Sequence, residues 1–361
     1  MRALVATRKG LFAVDKARGH WSVAMLAFVG EPVTAVLADP RSGMLHAALN
    51  LGHFGVKMHR SADGGASWQE MAAPALPDGA SDTLSVSLVW SLEGGGPQRP
   101  GRLWAGTLPG ALFRSDDDGA NWSLVDSLWH EPRRPLWWGG GYDVPGIHSI
   151  DVDPRDNDRL ALAISVGGVW HSADAGASWE LAARGMGADY LPPDQADDEN
   201  QQDPHRMVRC AGAPDTLWVQ HHCGIWKSRD GGHNWKGIRS TAQGGFGFAV
   251  VVHPRDPDTA WFVPAIADQT RVPAGDCFVV TRTRDGGQSF ETLDRGLPQG
   301  PAWDLVYRHG LDITADGQAL LMGSTTGNLW VSENGGDDWQ QVSSNLPPIA
   351  AVRFVDSAGA R

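Results

Sequence analysis

Ser61-Ala-Asp-Gly-Gly-Ala-Ser-Trp68 decides how this chain is read, because it recurs. Ser115–Trp122 reads SDDDGANW, Ser172–Trp179 SADAGASW, Ser228–Trp235 SRDGGHNW, Thr283–Phe290 TRDGGQSF and Ser332–Trp339 SENGGDDW. The common pattern is Ser/Thr-x-Asp-x-Gly-x-x-Trp/Phe. An Asp carboxylate accepts several backbone N–H bonds inside a tight turn. The Gly accepts a positive φ that a side chain resists. The aromatic leaves the turn and buries a large area between neighbouring sheets. Asn334 and Phe290 depart from the pattern but keep the acceptor and the ring.

The closing aromatics are Trp68, Trp122, Trp179, Trp235, Phe290 and Trp339. They stand about 49 to 57 residues apart, a period that points to a propeller or solenoid. A seventh unit lies at the start, where Arg2–Thr7 and Leu11–Val14 read as strands and Trp21 falls about 47 residues before Trp68. Each unit has room for four short strands. The first lacks its innermost strand, and Ile349–Val355 supplies one, which leaves no sheet edge unpaired. The sequence therefore predicts an all-β chain: a seven-bladed β-propeller of four-stranded blades. The octapeptides join the third and outer strands, the N- and C-terminal strands pair, and residues 1–361 form one domain. These repeats resemble the Asp-box (BNR-repeat, sialidase-type) β-propeller family over nearly the whole chain.

A net charge of −12 argues against a nucleic-acid binder, which needs a basic face. Three cysteines make no disulfide framework. Met1–Thr7 already reads as a strand, so no secretory leader is expected. No apolar run reaches the roughly 18 residues of a membrane span. A cytoplasmic protein with no membrane partner is expected. The oligomeric state is not legible.

In a propeller the strands alternate in direction, so the octapeptides lie towards one face and belong to the scaffold. The turns into the innermost strands lie at the other face, at the mouth of the channel. Two long connections fall there, residues 130–147 and 185–204, and long loops are often functional. Aligned by their closing turns, the inner strands begin with His148 in blade 4, His205 in blade 5 and His309 in blade 7. Phe248 and Thr34 hold that place in blades 6 and 2. His222 and His53 lie on turns at the same end. Neutral imidazoles are common ligands of divalent transition metals, so His148, His205, His222, His309 and His53 are the candidate ligands of Zn, Mn or Fe. Arg271 and Arg308 are placed to hold a carboxylate or phosphate. Tyr142 and Tyr307 are candidate acid–base groups. Trp137 and Trp138 suit either sugar stacking or loop anchoring.

Two functions follow. One is a hydrolase or lyase acting on a small anionic or saccharide-like substrate, a small molecule or carbohydrate, at the channel mouth. The family resemblance implies a glycosidase-like protein, but true sialidases have six blades, a three-arginine clamp and a Tyr/Glu pair that this sequence does not show. The other is a non-catalytic interaction or assembly propeller, a role that seven-bladed proteins of this type also serve.

Overall fold

The computed structural model describes residues 1–81, 83–238 and 244–355. Among them are seven four-stranded antiparallel sheets, the blades of a β-propeller, and helix is confined to single turns. No helix is long and apolar enough to cross a membrane. Contacts divide the chain into two compact units. Among the described residues the first comprises Met1–Gly30 and the chain from 205 to 355, and the second Glu31–Pro204.

The first unit contains the blade that the chain ends share. Arg2–Thr7 pairs on one side with Gly10–Ala17 and on the other with Ile349–Val355. The terminal pairing is antiparallel and runs from Arg2 opposite Val355 to Thr7 opposite Ile349. Ile349, Val352 and Phe354 are buried with Ala3, Val5 and Val14. The expected closure is thus present in detail.

Each octapeptide folds as its residue types require. In the blade with strands Val33–Ala38, Leu45–Asn50, Val56–Ser61 and Gln69–Met71, Asp63 Oδ1 accepts the Ser61 hydroxyl at 2.8 Å and the Ser67 N–H at 2.9 Å. Gly65 N–H donates to Ser61 Oγ at 2.8 Å. Ser115/Asp117, Ser172/Asp174, Ser228/Asp230, Thr283/Asp285 and Ser332/Asn334 repeat the side-chain contact at 2.7–3.0 Å. The first residue therefore has two jobs: its hydroxyl donates to the acid and accepts the glycine amide. At two of the octapeptides the closing aromatic packs among strands of its own and the preceding blade. Phe290 stands edge-on to Phe262 at 6.1 Å beside Trp218, and Trp339 is buried with Trp261 and Phe278. The carboxylates are held below their usual range, at Asp285 about 2, chiefly by the Ser289 hydroxyl.

The turns that leave the inner strands carry a second repeated device, Asp39-Pro-Arg41, Asp153-Pro-Arg155 and His253-Pro-Arg255. Asp39 Oδ1 accepts Arg41 N–H and Asp153 Oδ1 accepts Arg155 N–H, both at 2.9 Å. In the third turn His253 Nδ1 takes the acid's place, accepting the N–H groups of Arg255 and Asp256 at 3.1 Å. Only an unprotonated nitrogen accepts. Burial first, and then the Arg255 charge, push the His253 pKa down against the pull of Asp256. A depressed folded-state pKa means stability present above the unfolded value of about 6.5 and lost as pH falls through the folded value. His253→Asp keeps an acceptor without that titration. Its melting temperature is expected to match the parent's near pH 8 and to exceed it at pH 5. Parallel melting curves at both pH values would show that the imidazole does not hold this turn.

Candidate functional site

The inner strands of four blades share a local irregularity. Where Val33–Ala38, Leu88–Gly94, Ile147–Val152 and Gly247–Val252 pair with the next strand, the register shifts by a bulge. The residues in these bulges include Thr34, Trp90, His148 and Phe248. A bulge re-aims a side chain that the regular pleat would point elsewhere. Thr34, His148, His205 and Phe248 are each the second residue of their strand, as the alignment by closing turns requires.

In the first unit Phe248 is the ring on which the other groups converge. It is buried. The His205 imidazole stacks on it at 4.5 Å between centroids and 16° between planes. The guanidinium carbons of Arg308 and Arg271 lie 5.3 and 5.4 Å from its centroid. Tyr307 stands edge-on at 5.1 Å, and Phe246 at 5.2 Å. The His222 ring is edge-on to His205 at 5.4 Å, and the two histidines offer ligand atoms within 4.8 Å of each other. Arg271 Nη1 donates to the Tyr307 hydroxyl at 3.3 Å, and Arg271 Nε donates to the Asp268 carbonyl at 2.8 Å. Asp268 Oδ2 lies 4.0 Å from His222 Nε2. His205 and Arg308 are buried, Tyr307 and His222 half-buried, and Arg271 exposed.

Two backbone features hold this cluster. His205 Nδ1 sits 2.6 Å from the Gly247 carbonyl oxygen. A carbonyl only accepts, so Nδ1 carries a proton, and Nε2 is the nitrogen that holds the lone pair when the ring is neutral. Gly247 is needed because a Cβ there would meet the Val263 carbonyl at 2.7 Å. Gln220 Nε2 donates to the carbonyls of His221, Gly224 and Gly245 at 2.9–3.1 Å, which fixes the turn that carries His222. His221 is turned inward, its Nδ1 accepting the Cys223 N–H at 3.1 Å and its ring lying 4.7 Å from Trp226.

The sequence-predicted residues divide accordingly. His205, His222, Arg271, Tyr307 and Arg308 meet around Phe248. His309 belongs to the same unit but not to the strand expected to begin with it. The strand is Leu311–Ile313. Gly310 N–H bonds the Tyr307 carbonyl at 2.7 Å, closing a turn, and the His309 carbonyl accepts Val352 N–H of the terminal strand at 2.8 Å. The backbone of His309 is thus spent on closing the first blade. In the second unit His148 is buried with Nδ1 3.1 Å from the Ser149 hydroxyl. Its ring and that of Tyr142 both stand edge-on to Trp90, at 5.4 and 5.2 Å. His53 lies on the exposed turn Gly52–Phe54, its ring 3.9 Å from Phe54. Among the described residues, none of His53, His148 and His309 joins a set of three His, Cys, Asp or Glu side chains close enough to share an ion. Phe248 and Trp90 were not singled out as site residues in the sequence. Their signal is the register position they share with Thr34 and His148.

No family model matches the chain. It is 26% identical over 258 residues to an oligoxyloglucan-reducing end-specific xyloglucanase from Emericella nidulans, a match covering 65% of this chain and 29% of that protein. It is 27% identical over 164 residues to a sialidase from Bacteroides fragilis, covering 36% of this chain and 29% of the sialidase. It is 22% identical over 340 residues to the photosystem II assembly lipoprotein Ycf48 of a Synechococcus species, covering 93% and 82%. The chain spans less than a third of the xyloglucanase and sialidase lengths. Among solved structures it is similar to the GH74 xyloglucanase of Xanthomonas campestris (TM-score 0.63, 18% identity, 99% of this chain and 53% of that one). It is also similar to YCF48 from Cyanidioschyzon merolae (0.58, 15%, 92% and 90%). The chain is a seven-bladed β-propeller, and these relatives are propellers of the BNR/Asp-box type.

Proposed function

We propose that the chain is a hydrolase or lyase that takes a small anionic, saccharide-like substrate at the Phe248 cluster. The observation that carries this reading is the convergence on one phenyl ring of two guanidinium groups, a phenol and an imidazole of fixed tautomer. Arg271 and Arg308 bind the substrate's carboxylate, since guanidinium groups pair with planar anions through two parallel hydrogen bonds. The two guanidinium groups, in a chain of net charge −12, give an anion a place to pair where the chemistry is. His205 Nε2 accepts a proton, and the Tyr307 hydroxyl, which already accepts from Arg271, returns one to the leaving oxygen. The set suits removal of a proton next to a carboxylate whose developing charge the arginines stabilise. It equally suits activation of water. Similarity to xyloglucanases and a sialidase supports a carbohydrate substrate. Selective turnover of carboxylate-bearing over neutral glycosides tests the reading.

As an alternative to proton transfer, since the single Nε2 lone pair of His205 takes either a proton or an ion, His205 and His222 suit a divalent transition metal. The donation of Nδ1–H to a backbone carbonyl is the arrangement that orients a ligating imidazole. A bound Zn, Mn or Fe would supply Lewis acidity and a water of lowered pKa. Binding needs neutral imidazoles, so affinity falls as pH drops through about 6.5. Metal in stoichiometric amount by elemental analysis of the native protein, and little in His205→Ala, would assign the Nε2 lone pair to an ion in place of a proton. A metal-free native protein that takes up none on titration leaves His205 as a proton acceptor only.

A second reading is favoured by coverage. The Ycf48 match spans 82% of that assembly protein, and one similar structure is YCF48 bound to a D1 peptide (TM-score 0.54, 16% identity, 85% of this chain and 82% of that one). On this reading the propeller is a non-catalytic assembly factor, and the basic cluster would grip an acidic group of a protein partner.

A further inference from the structure

The second unit carries a different kind of surface. Its two long connections pack on each other. Trp137 is buried, with Nε1 donating to Asn200 Oδ1 at 3.0 Å and its ring edge-on to Trp170 at 5.6 Å. Asn200 Nδ2 reaches back to the Arg133 carbonyl at 3.4 Å. Trp138, its neighbour, is 45% exposed. It is nonetheless held in place, because its N–H bonds the Val166 carbonyl at 3.2 Å and its ring meets Tyr190 edge-on at 6.0 Å. Tyr190 is itself tied by its hydroxyl to the Gln201 carbonyl at 2.7 Å. Tyr142 is 50% exposed, with Trp90 against it. Gly139 fixes the return of this loop, since a Cβ there would fall 1.7 Å from the Tyr142 carbonyl oxygen. The exposed rings therefore sit on loops whose shape is set from below.

The Asp and Arg residues of these two connections differ in exposure. The loop arginines are engaged with the loops' own support. The Arg134 guanidinium lies 3.6 Å from the Trp129 ring centroid, and that of Arg133 lies 4.7 Å from Trp170 with Glu131 at 2.7 Å. Asp143, Asp189, Asp194 and Asp197 are exposed on the same two connections. A ligand for this surface has flat apolar faces, hydroxyls to donate to carboxylates, and no negative charge. We propose that Trp138 and Tyr142 form a binding platform for a neutral saccharide chain. Pyranose rings lay their C–H faces on the aromatic rings, and their hydroxyls donate to the neighbouring carboxylates. Rigid aromatic faces cost little ordering on binding. The platform uses residues of the second unit alone and is independent of the Phe248 cluster.

Calorimetric titration of the full chain with cellohexaose, mannohexaose and a xyloglucan oligosaccharide tests it. At least one is expected to bind, and hexagalacturonate is expected not to compete at this surface. Trp138→Ala and Tyr142→Ala are each expected to weaken binding about tenfold, the order that one aromatic contact supplies. Tyr142→Phe keeps the ring and is expected to bind as the parent does. Near-ultraviolet circular dichroism checks that the variants fold. Failure of all three neutral oligosaccharides to bind overturns the proposal. So does binding left unchanged in both alanine variants. Capture of a Lys/Arg-rich peptide in place of any sugar also overturns it and marks the surface as one for basic proteins.

Discussion

Replacing His205 with alanine is expected to lower kcat/KM by roughly 10²–10⁴-fold, the contribution of a positioned general acid–base group. The loss should fall on kcat, because His205 is assigned to proton transfer and the two arginines to substrate binding. His205→Gln fills most of the space and keeps a donor for the Gly247 carbonyl, but it supplies no basic nitrogen. It should fold like the parent and lose activity like the alanine variant. If His205→Gln keeps full turnover, proton transfer has been assigned to the wrong residue. The His222 turn would be the next place to look, since it approaches the same ring.

The second large effect is on folding. Deleting the chain after Pro347 removes Ile349, Val352 and Phe354, all buried. It also strips Arg2–Thr7 of its partner along its full length. Burial of each large apolar side chain is worth about 1.5–3 kcal/mol, so three approach the whole stability of a typical domain, about 5–15 kcal/mol. The bared strand is apolar and templates aggregation. The truncated chain is expected to be insoluble or to melt far below the parent. Adding back a peptide spanning 348–355 should restore part of the loss. A truncated chain that melts with the parent would mean that the terminal pairing contributes nothing to the fold.

The blade count was legible because the octapeptide turn makes strict local demands. A hydroxyl must face an acid, and a glycine must follow where φ is positive, at +70° and +94° for Gly64 and Gly65. Such chemistry survives in the sequence even where the strands around it vary. The place of His148 and His205 was legible for the same reason, since the turn after each inner strand fixes the register before it. The bulges were not legible. They are a relation between two strands, and no single strand records that Trp90 and Phe248 have been turned out of the pleat. At His309 the alignment misplaces the strand start, which falls at Leu311. His309 stands at the right distance from its closing turn, but the Tyr307–Gly310 turn and the terminal strand claim its backbone. Arg271 could be assigned to the site because it lies in a long turn, yet its contact with Tyr307 depends on how that turn folds back across the neighbouring blade. Trp137 and Trp138 look alike in sequence. Only the Asn200 side chain, supplied by the other loop, separates the anchor from the exposed ring.

The central claim is that Arg271, Arg308 and His205 act on a carboxylate-bearing sugar. The most direct measurement is product analysis after incubating the purified chain with paired uronosides and neutral glycosides, run beside Arg308→Gln. The account predicts new reducing ends, or a conjugated unsaturated uronate if the reaction is elimination, from the acidic member of each pair. It predicts no product from the neutral member and a fall of about tenfold or more in kcat/KM for Arg308→Gln, as loss of a charged hydrogen-bonded anchor requires. Equal turnover of neutral and acidic substrates, or no product from any acidic substrate, would contradict it.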